Sequence, residues 1–453
     1  MILMRYKLAV LPLIAALALG ACGKESSFPE ASGKGNIRAI NAIASAPEVT
    51  FLIEERSLGG ISFREATAAT PYDDLEYTFN FEVFYAGDDA VTRIASQFID
   101  VVADMDYTLV LTGTLSNASV VLWEQAKREF TGTETVFSAR FAHTSDSLGP
   151  ADYYFAAPGV VPVLGEEVGT LSFGEVLDGI DYEAGDYVLT VTSSGDPADI
   201  LFESDTNTFI AATEYTVSMF DGGANTFAPF IAHSFTNGAV TASGTIPDVN
   251  YPATAEFVNG SLELGTVDIY DDDMQTSLLV DDLPHMGISA ELNLADGENQ
   301  FTFTPSDSNN PVLIDDTLSV FSGVRTRVVG LGLTDSLRIS TYVPDRRPVD
   351  TQAKLQVFSA ANTFGFLQMF VLEADAVLDD QLPVLASLVA GSAPQTLALR
   401  AGSYDIYVRE FDSTEILAGP IRLDVELGDV IGTILYDTVD PAVVEVQMLQ
   451  NTP

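Results

Sequence analysis

The chain has 453 residues, with 20 Lys+Arg against 65 Asp+Glu, a formal charge of −45, 47% hydrophobic residues and one cysteine. A charge this negative argues against nucleic acid as a partner, because that contact needs Lys and Arg to displace counterions. One cysteine excludes a disulfide framework and a thiolate zinc cage, while the apolar share is that of a folded chain of roughly two to four domains.

At the N-terminus Arg5 and Lys7 precede the apolar run Leu8 to Leu19. About twelve residues is too short to span a bilayer as a helix and suits the core of a signal peptide. The run ends in Leu19-Gly20-Ala21-Cys22, which resembles a bacterial lipobox. The expectation is a lipoprotein signal peptide over 1–21 and lipid attachment at Cys22, the anchor by which the protein would meet the membrane. The alternative is an ordinary secretory signal with a chance cysteine. Gly23 follows where enteric sorting rules place Asp for inner-membrane retention, which favours the outer membrane. Residues 22–36, polar and Gly/Ser-rich, read as a flexible tether.

Beyond the tether the sequence repeats. Each unit opens on a short motif: Arg38-Ala-Ile-Asn41, Arg140-Phe-Ala-His143, Glu256-Phe-Val-Asn259 and Gln356-Val-Phe-Ser359. A second strand follows each, VTFLI at 49–53, ADYYF at 151–155, VDIY at 267–270 and LQMFV at 367–371. Next comes a turn pair leading an alternating strand, clearest in Ala184-Gly185-Asp186-Tyr187 and Ala401-Gly402-Ser403-Tyr404, and weaker at Tyr77 and Asn299. Side chains at period two mark half-buried strands. A last marker holds Tyr107 and Tyr215; the spacing from Tyr77 to Tyr187 is 110 residues and from Tyr107 to Tyr215 it is 108.

Two markers with one period define a repeat. Four units are predicted, over 37–131, 132–247, 248–350 and 351–453, each the size of a seven-stranded antiparallel sandwich. The stretch Ala374 to Val389 alone suggests an amphipathic helix. The Gly-x-Tyr element predicts a tight corner across which a buried Tyr returns its hydroxyl to the backbone.

The residues ARFAHTS and GPADYYF over 139–155, LSFG at 171–174, Ala184-Gly185-x-Tyr187 and Ala212-x-x-Tyr215-Thr resemble the extracytoplasmic domain-of-unknown-function family 4397. The resemblance implies Ig-like β-sandwiches in tandem on secreted or lipid-anchored bacterial proteins, and no activity. Asp152 and Asp268 fall where that family carries Asp before its second-strand aromatics; Thr50 and Gln368 depart from it.

Catalytic signatures are sparse. There is no G-x-S-x-G elbow, no phosphate-binding Gly loop and no H-E-x-x-H. With only His143, His233 and His285, a histidine-based triad or zinc site needs long-range convergence, and His143 sits in the slot of Asn41, Asn259 and Ser359, where it reads as a turn-capping group. Calcium takes six to eight oxygens; Asp271-Asp272-Asp273 and Asp307 to Asp316 offer carboxylates without a calcium-loop spacing, and read as solvated loops. The acidity, spread over all units, reads as a solvated shell.

The sequence thus predicts an all-β, non-enzymatic, lipid-anchored envelope protein of tandem Ig-like β-sandwich units. No catalytic, cofactor-binding or metal site is assigned. It would present a binding or spacing surface to a protein or glycan, with no nucleic acid and with its oligomeric state open. The alternatives are a periplasm-facing scaffold of an envelope complex and, from another class, a carboxylate-dependent polysaccharide hydrolase.

Overall fold

The computed structural model describes residues 30–88, 90–237 and 243–451. The signal peptide and Cys22 lie outside the described residues. Alternating apolar runs become strands throughout, and among the described residues the only helix is the single 3-10 turn Leu262–Leu264. No helix of the described residues is long and apolar enough to cross a membrane. The stretch that suggested a helix, 374–389, is a series of turns ending in the strand Leu385–Leu388. Asp375 and Asp380 adopt left-handed backbone (φ 65° and 62°), which a helix does not tolerate.

The first unit sets the pattern with β1 (Lys34–Asn41), β2 (Val49–Ile53), β3 (Arg56–Ile61), β4 (Thr70–Asp73), β5 (Glu76–Phe84), β6 (Val91–Asp100), β7 (Met105–Thr114) and β8 (Asn117–Ala126). One sheet runs β4-β1-β7-β8 and the facing sheet β3-β2-β5-β6. Within the first sheet β1 and β7 are parallel, with Ile37 opposite Tyr107, and all other neighbours are antiparallel. The third and fourth units keep the same two strand orders; the second adds Asn207–Phe209 and Ser243–Ile246. The sandwich is therefore eight-stranded with one parallel pair, where the sequence pattern suggested seven antiparallel strands. β1 begins at Lys34, inside the segment read as tether, and Ser32 and Gly33 donate backbone N–H bonds to Asp74.

Each unit closes on its own core. Phe51, Phe79 and Phe81 fill the first; Phe137, Phe141 and Phe155 the second; Phe257, Phe301 and Phe303 the third; Leu355, Met369 and Ile406 the fourth.

The predicted corner bonds are present, though Tyr187, expected buried, is half-buried and its hydroxyl bond is exposed. Tyr187 Oη donates to the Glu183 carbonyl (2.9 Å) and Tyr404 Oη to the Arg400 carbonyl (3.0 Å). In the third unit Asn299 makes the equivalent bond, Nδ2 to the Ala295 carbonyl at 2.9 Å. The second tyrosine marker closes another corner: Tyr107 Oη accepts from Val102 N and Tyr215 Oη from Ile210 N. Tyr187→Phe keeps the ring stacked on Phe155 and loses only the hydroxyl bond. It should lower the stability of the second unit by roughly 1 kcal/mol in urea denaturation; an unchanged unfolding profile would remove the corner's energetic role.

Candidate functional site

The sequence-flagged groups serve mostly local structure. His143 is fully buried and its Nε2 lies 3.0 Å from the Gly149 carbonyl, the turn role expected of it. Asn41 and Asn259 do the same work in the other units, Asn41 bonding the Ile61 carbonyl and Asn259 those of Gly265 and Leu283. Asp152 accepts from Thr170 Oγ1 and Gly195 N, and Asp268 from the backbone amides of Asp282 and Asp307, so each carboxylate clasps two loops. Asp272 caps its own turn through Thr276. Asp268, Asp281 and Asp282 bring ligand atoms within 4.8 Å of one another. The crowding, first of all with Asp282, raises the Asp281 carboxyl above its usual range. Of this trio, none belongs to the runs Asp271–Asp273 and Asp307–Asp316.

What sequence reasoning missed is the packing between units. The sheet carrying β1, β7 and β8 is buried on both faces: Ile37, Ala39 and Leu109 face their own core, whereas Ile40, Val110 and Trp123 meet Ala142, Phe220 and Phe235 of the second unit. A matching layer joins the third and fourth units through Val258, Val329, Tyr342, Phe358, Ile434 and Tyr436. Polar groups fix the alignment. Arg38 donates to Thr108 within its sheet and to Thr216 across the interface, and Trp123 Nε1 donates to the Gly174 carbonyl. Gln125 Nε2 donates to Glu214, whose carboxyl burial pushes up.

The two pairs meet at the segment between Tyr342 and Ala353, which holds the only adjacent arginine pair in the sequence, Arg346-Arg347. Arg347 donates to the carbonyls of Ala44 and Ala46 in the first unit. The Arg346 amide donates to Asn225 Oδ1 of the second unit and its guanidinium to Glu256 of the third. Asp345 accepts from Lys354 Nζ (2.5 Å), and Gln356 Oε1 accepts from its backbone amide, both on the fourth unit's first strand. Thr226 Oγ1 bonds the Gly323 carbonyl, and Arg325 stacks over Phe227 at 3.7 Å, tying the second unit to the third.

Beside this junction lies a cleft of ≈ 440 Å³. Ile231, Pro247, Phe321, Val324 and Val343 give it apolar walls, and Arg64, Asn225, Thr226 and Thr245 its polar groups. Thr245 lies 3.3 Å from Nδ1 of His233, and His233 Nε2 is buried without a partner. Burial, with a smaller contribution from the Arg64 charge, pushes His233 down to about 4.

The family model described as "Domain of unknown function (DUF4397)" matches residues 35–154 and 253–369, together more than half of the chain. The chain belongs to this family. Each DUF4397 match starts on the first strand of a pair and ends in the second strand of the pair's second unit. No curated protein matches. Among solved structures, "The Bacillus anthracis TIE protein" aligns at 11% identity and a TM-score of 0.16, covering 90% of this chain and 69% of that one. A likeness at that score carries no argument.

Two expectations follow from this geometry. Trp123, 3% exposed at the centre of the first shared layer, should cost roughly 3–5 kcal/mol on replacement by Ala, read as a lower urea midpoint for units one and two. His233 stays neutral when folded, so between its usual 6.5 and about 4 the unfolded chain binds more protons. Its contribution is therefore full above pH 6.5 and is lost as pH falls towards 4, by at most roughly 3 kcal/mol. Stability–pH curves of native protein and His233→Gln should converge in that window, the variant losing less on acidification.

Proposed function

We propose that this DUF4397 protein is a non-enzymatic binding and spacing module of the bacterial cell envelope, held at the membrane by lipid on Cys22. The observation that carries the reading is the locking of four sandwiches around one linker segment. Pairing buries one sheet of every unit, and the loops at the sandwich ends remain as the surface available to a protein or glycan partner. Rigidity suits such a role, because a partner then meets loops already held in place and less ordering entropy opposes binding. The lipobox-like Leu19-Gly20-Ala21-Cys22 and the acidic composition support an extracytoplasmic setting on a charged, solvated exterior.

The test is protease shaving of intact against permeabilised cells, following a C-terminal tag, with native protein and Cys22→Ser compared. The native protein is expected in the membrane fraction and the variant in the soluble fraction. Cleavage on intact cells supports capture of an external partner. Protection until permeabilisation directs the search to periplasmic envelope machinery. Equal membrane association of both forms would remove the lipid anchor from the proposal.

A further inference from the structure

The turn that carries Arg64 is repeated in the second unit, and the comparison exposes the arginine. Ser62-Phe63-Arg64-Glu65 and Ser172-Phe173-Gly174-Glu175 make the same bonds. Ser62 N donates to Glu65 and Ser172 N to Glu175; the Arg64 amide donates to the Asn41 carbonyl and the Gly174 amide to that of His143, each at 2.8 Å. The third residue is left-handed in both, φ 66° at Arg64 and 84° at Gly174. Glycine takes this conformation without a Cβ penalty; arginine does not. The third unit carries Met286 at this place, φ 64° with its amide 2.8 Å from the Asn259 carbonyl, so it is the charge and not the strain that sets Arg64 apart.

The Arg64 guanidinium is also short of partners. Its single hydrogen bond is a 3.5 Å contact to the Gly222 carbonyl, and it lies 5.0 Å from the Phe63 ring centroid. Arg347 lies 5.8 Å from the centroid of the same ring, with its Nη1 donating to the Ala44 and Ala46 carbonyls. No carboxylate pairs with Arg64 among the described residues, in a chain with 65 of them. Burial and the Arg347 charge push its pKa down to about 10, so the group is still a cation at neutral pH. Its unbonded nitrogens are not sealed from solvent, so a ligand in the cleft can reach them.

We propose that the cleft beside the junction binds a small amphipathic carboxylate. Its carboxylate meets the Arg64 fork, and its apolar body lies against Phe321, Val324 and Val343. One free guanidinium matches the two oxygens of a carboxylate bidentately, and the apolar walls supply burial for a hydrocarbon chain or ring. This adds a ligand class to the binding role above without depending on membrane attachment. A test on purified protein can therefore fail separately from the shaving experiment.

Calorimetric titration of the purified full chain would compare octanoate and benzoate with octanol and octylamine. The expected result is saturable binding of at least one carboxylate and none of octylamine. Arg64→Gln should weaken that binding roughly tenfold or more, the scale of one lost charge-assisted contact. Arg64→Gly should weaken it as much while leaving Tm unchanged or raised, because the turn then holds the residue its repeat uses. Octanol binding as tightly as octanoate, carboxylate binding unchanged in both variants, or no saturation by either carboxylate would overturn the proposal. So would a lower Tm for Arg64→Gly, since an arginine kept for structure alone predicts that loss.

Discussion

The arrangement of the whole molecule depends on one short segment, Asp345-Arg346-Arg347, whose polar groups reach all four units at once. Its charges are few, and two of the three are paired with an opposite charge. Asp345 meets Lys354, Arg346 meets Glu256, and Arg347 donates to two backbone carbonyls of the first unit. Ion pairs at such a junction add little net stability over apolar packing, yet removing one partner strands the other in a dry setting. They act as alignment fixtures, fixing one relative placement of the two pairs, while the apolar layers supply the attraction.

That division of labour explains how charge is distributed. No lysine or arginine occurs between Arg140 and Arg325, so most of the second and third units contribute carboxylates alone. The buried cations Arg38, Arg140, Arg327 and Lys354 all sit on the sheets that face another unit. Turning scarce cations inward leaves an exterior dominated by carboxylates. Such a shell repels itself and favours solubility over further association. Compact assembly of so acidic a chain thus needs its interior contacts to be apolar or cationic, and both shared layers are.

The fold class, the repeat and the tyrosine corners were legible because each leaves a local signature: period-two alternation, a fixed spacing, Gly followed by Tyr. The pairing was not, although a signal existed. A sheet with one wet face alternates, whereas a strand buried on both faces reads as a near-continuous apolar run. Thr108-Leu-Val-Leu-Thr112, Val328-Val-Gly-Leu331 and Val430-Ile-Gly-Thr-Ile-Leu-Tyr436 are such runs, and all lie on the strand parallel to its unit's first. The cleft was illegible for a different reason. Its lining comes from Arg64, the segment around Asn225, Pro247, Phe321 and Val343, which only the packing of separate units assembles.

The two shared layers are built at equivalent positions with different residues. Ile40 and Val258 occupy the same place in the opening motif, as do Ala142 and Phe358, and Trp123 and Tyr342 pair across from Thr108 and Arg327. Ala142 is small where Phe358 is large, and Trp123 stands where Tyr342 does, so each interface fills its space by its own combination. Both family matches begin at the head of such a pair, at residues 35 and 253. The sandwich thus repeats four times and the shared layer twice, once per pair. Neither half of a pair covers its own β1-bearing sheet, so the pair is the smallest piece whose apolar surface is closed. A change confined to one sandwich is then felt by its partner, and the junction between pairs offers room for a cleft without opening a core.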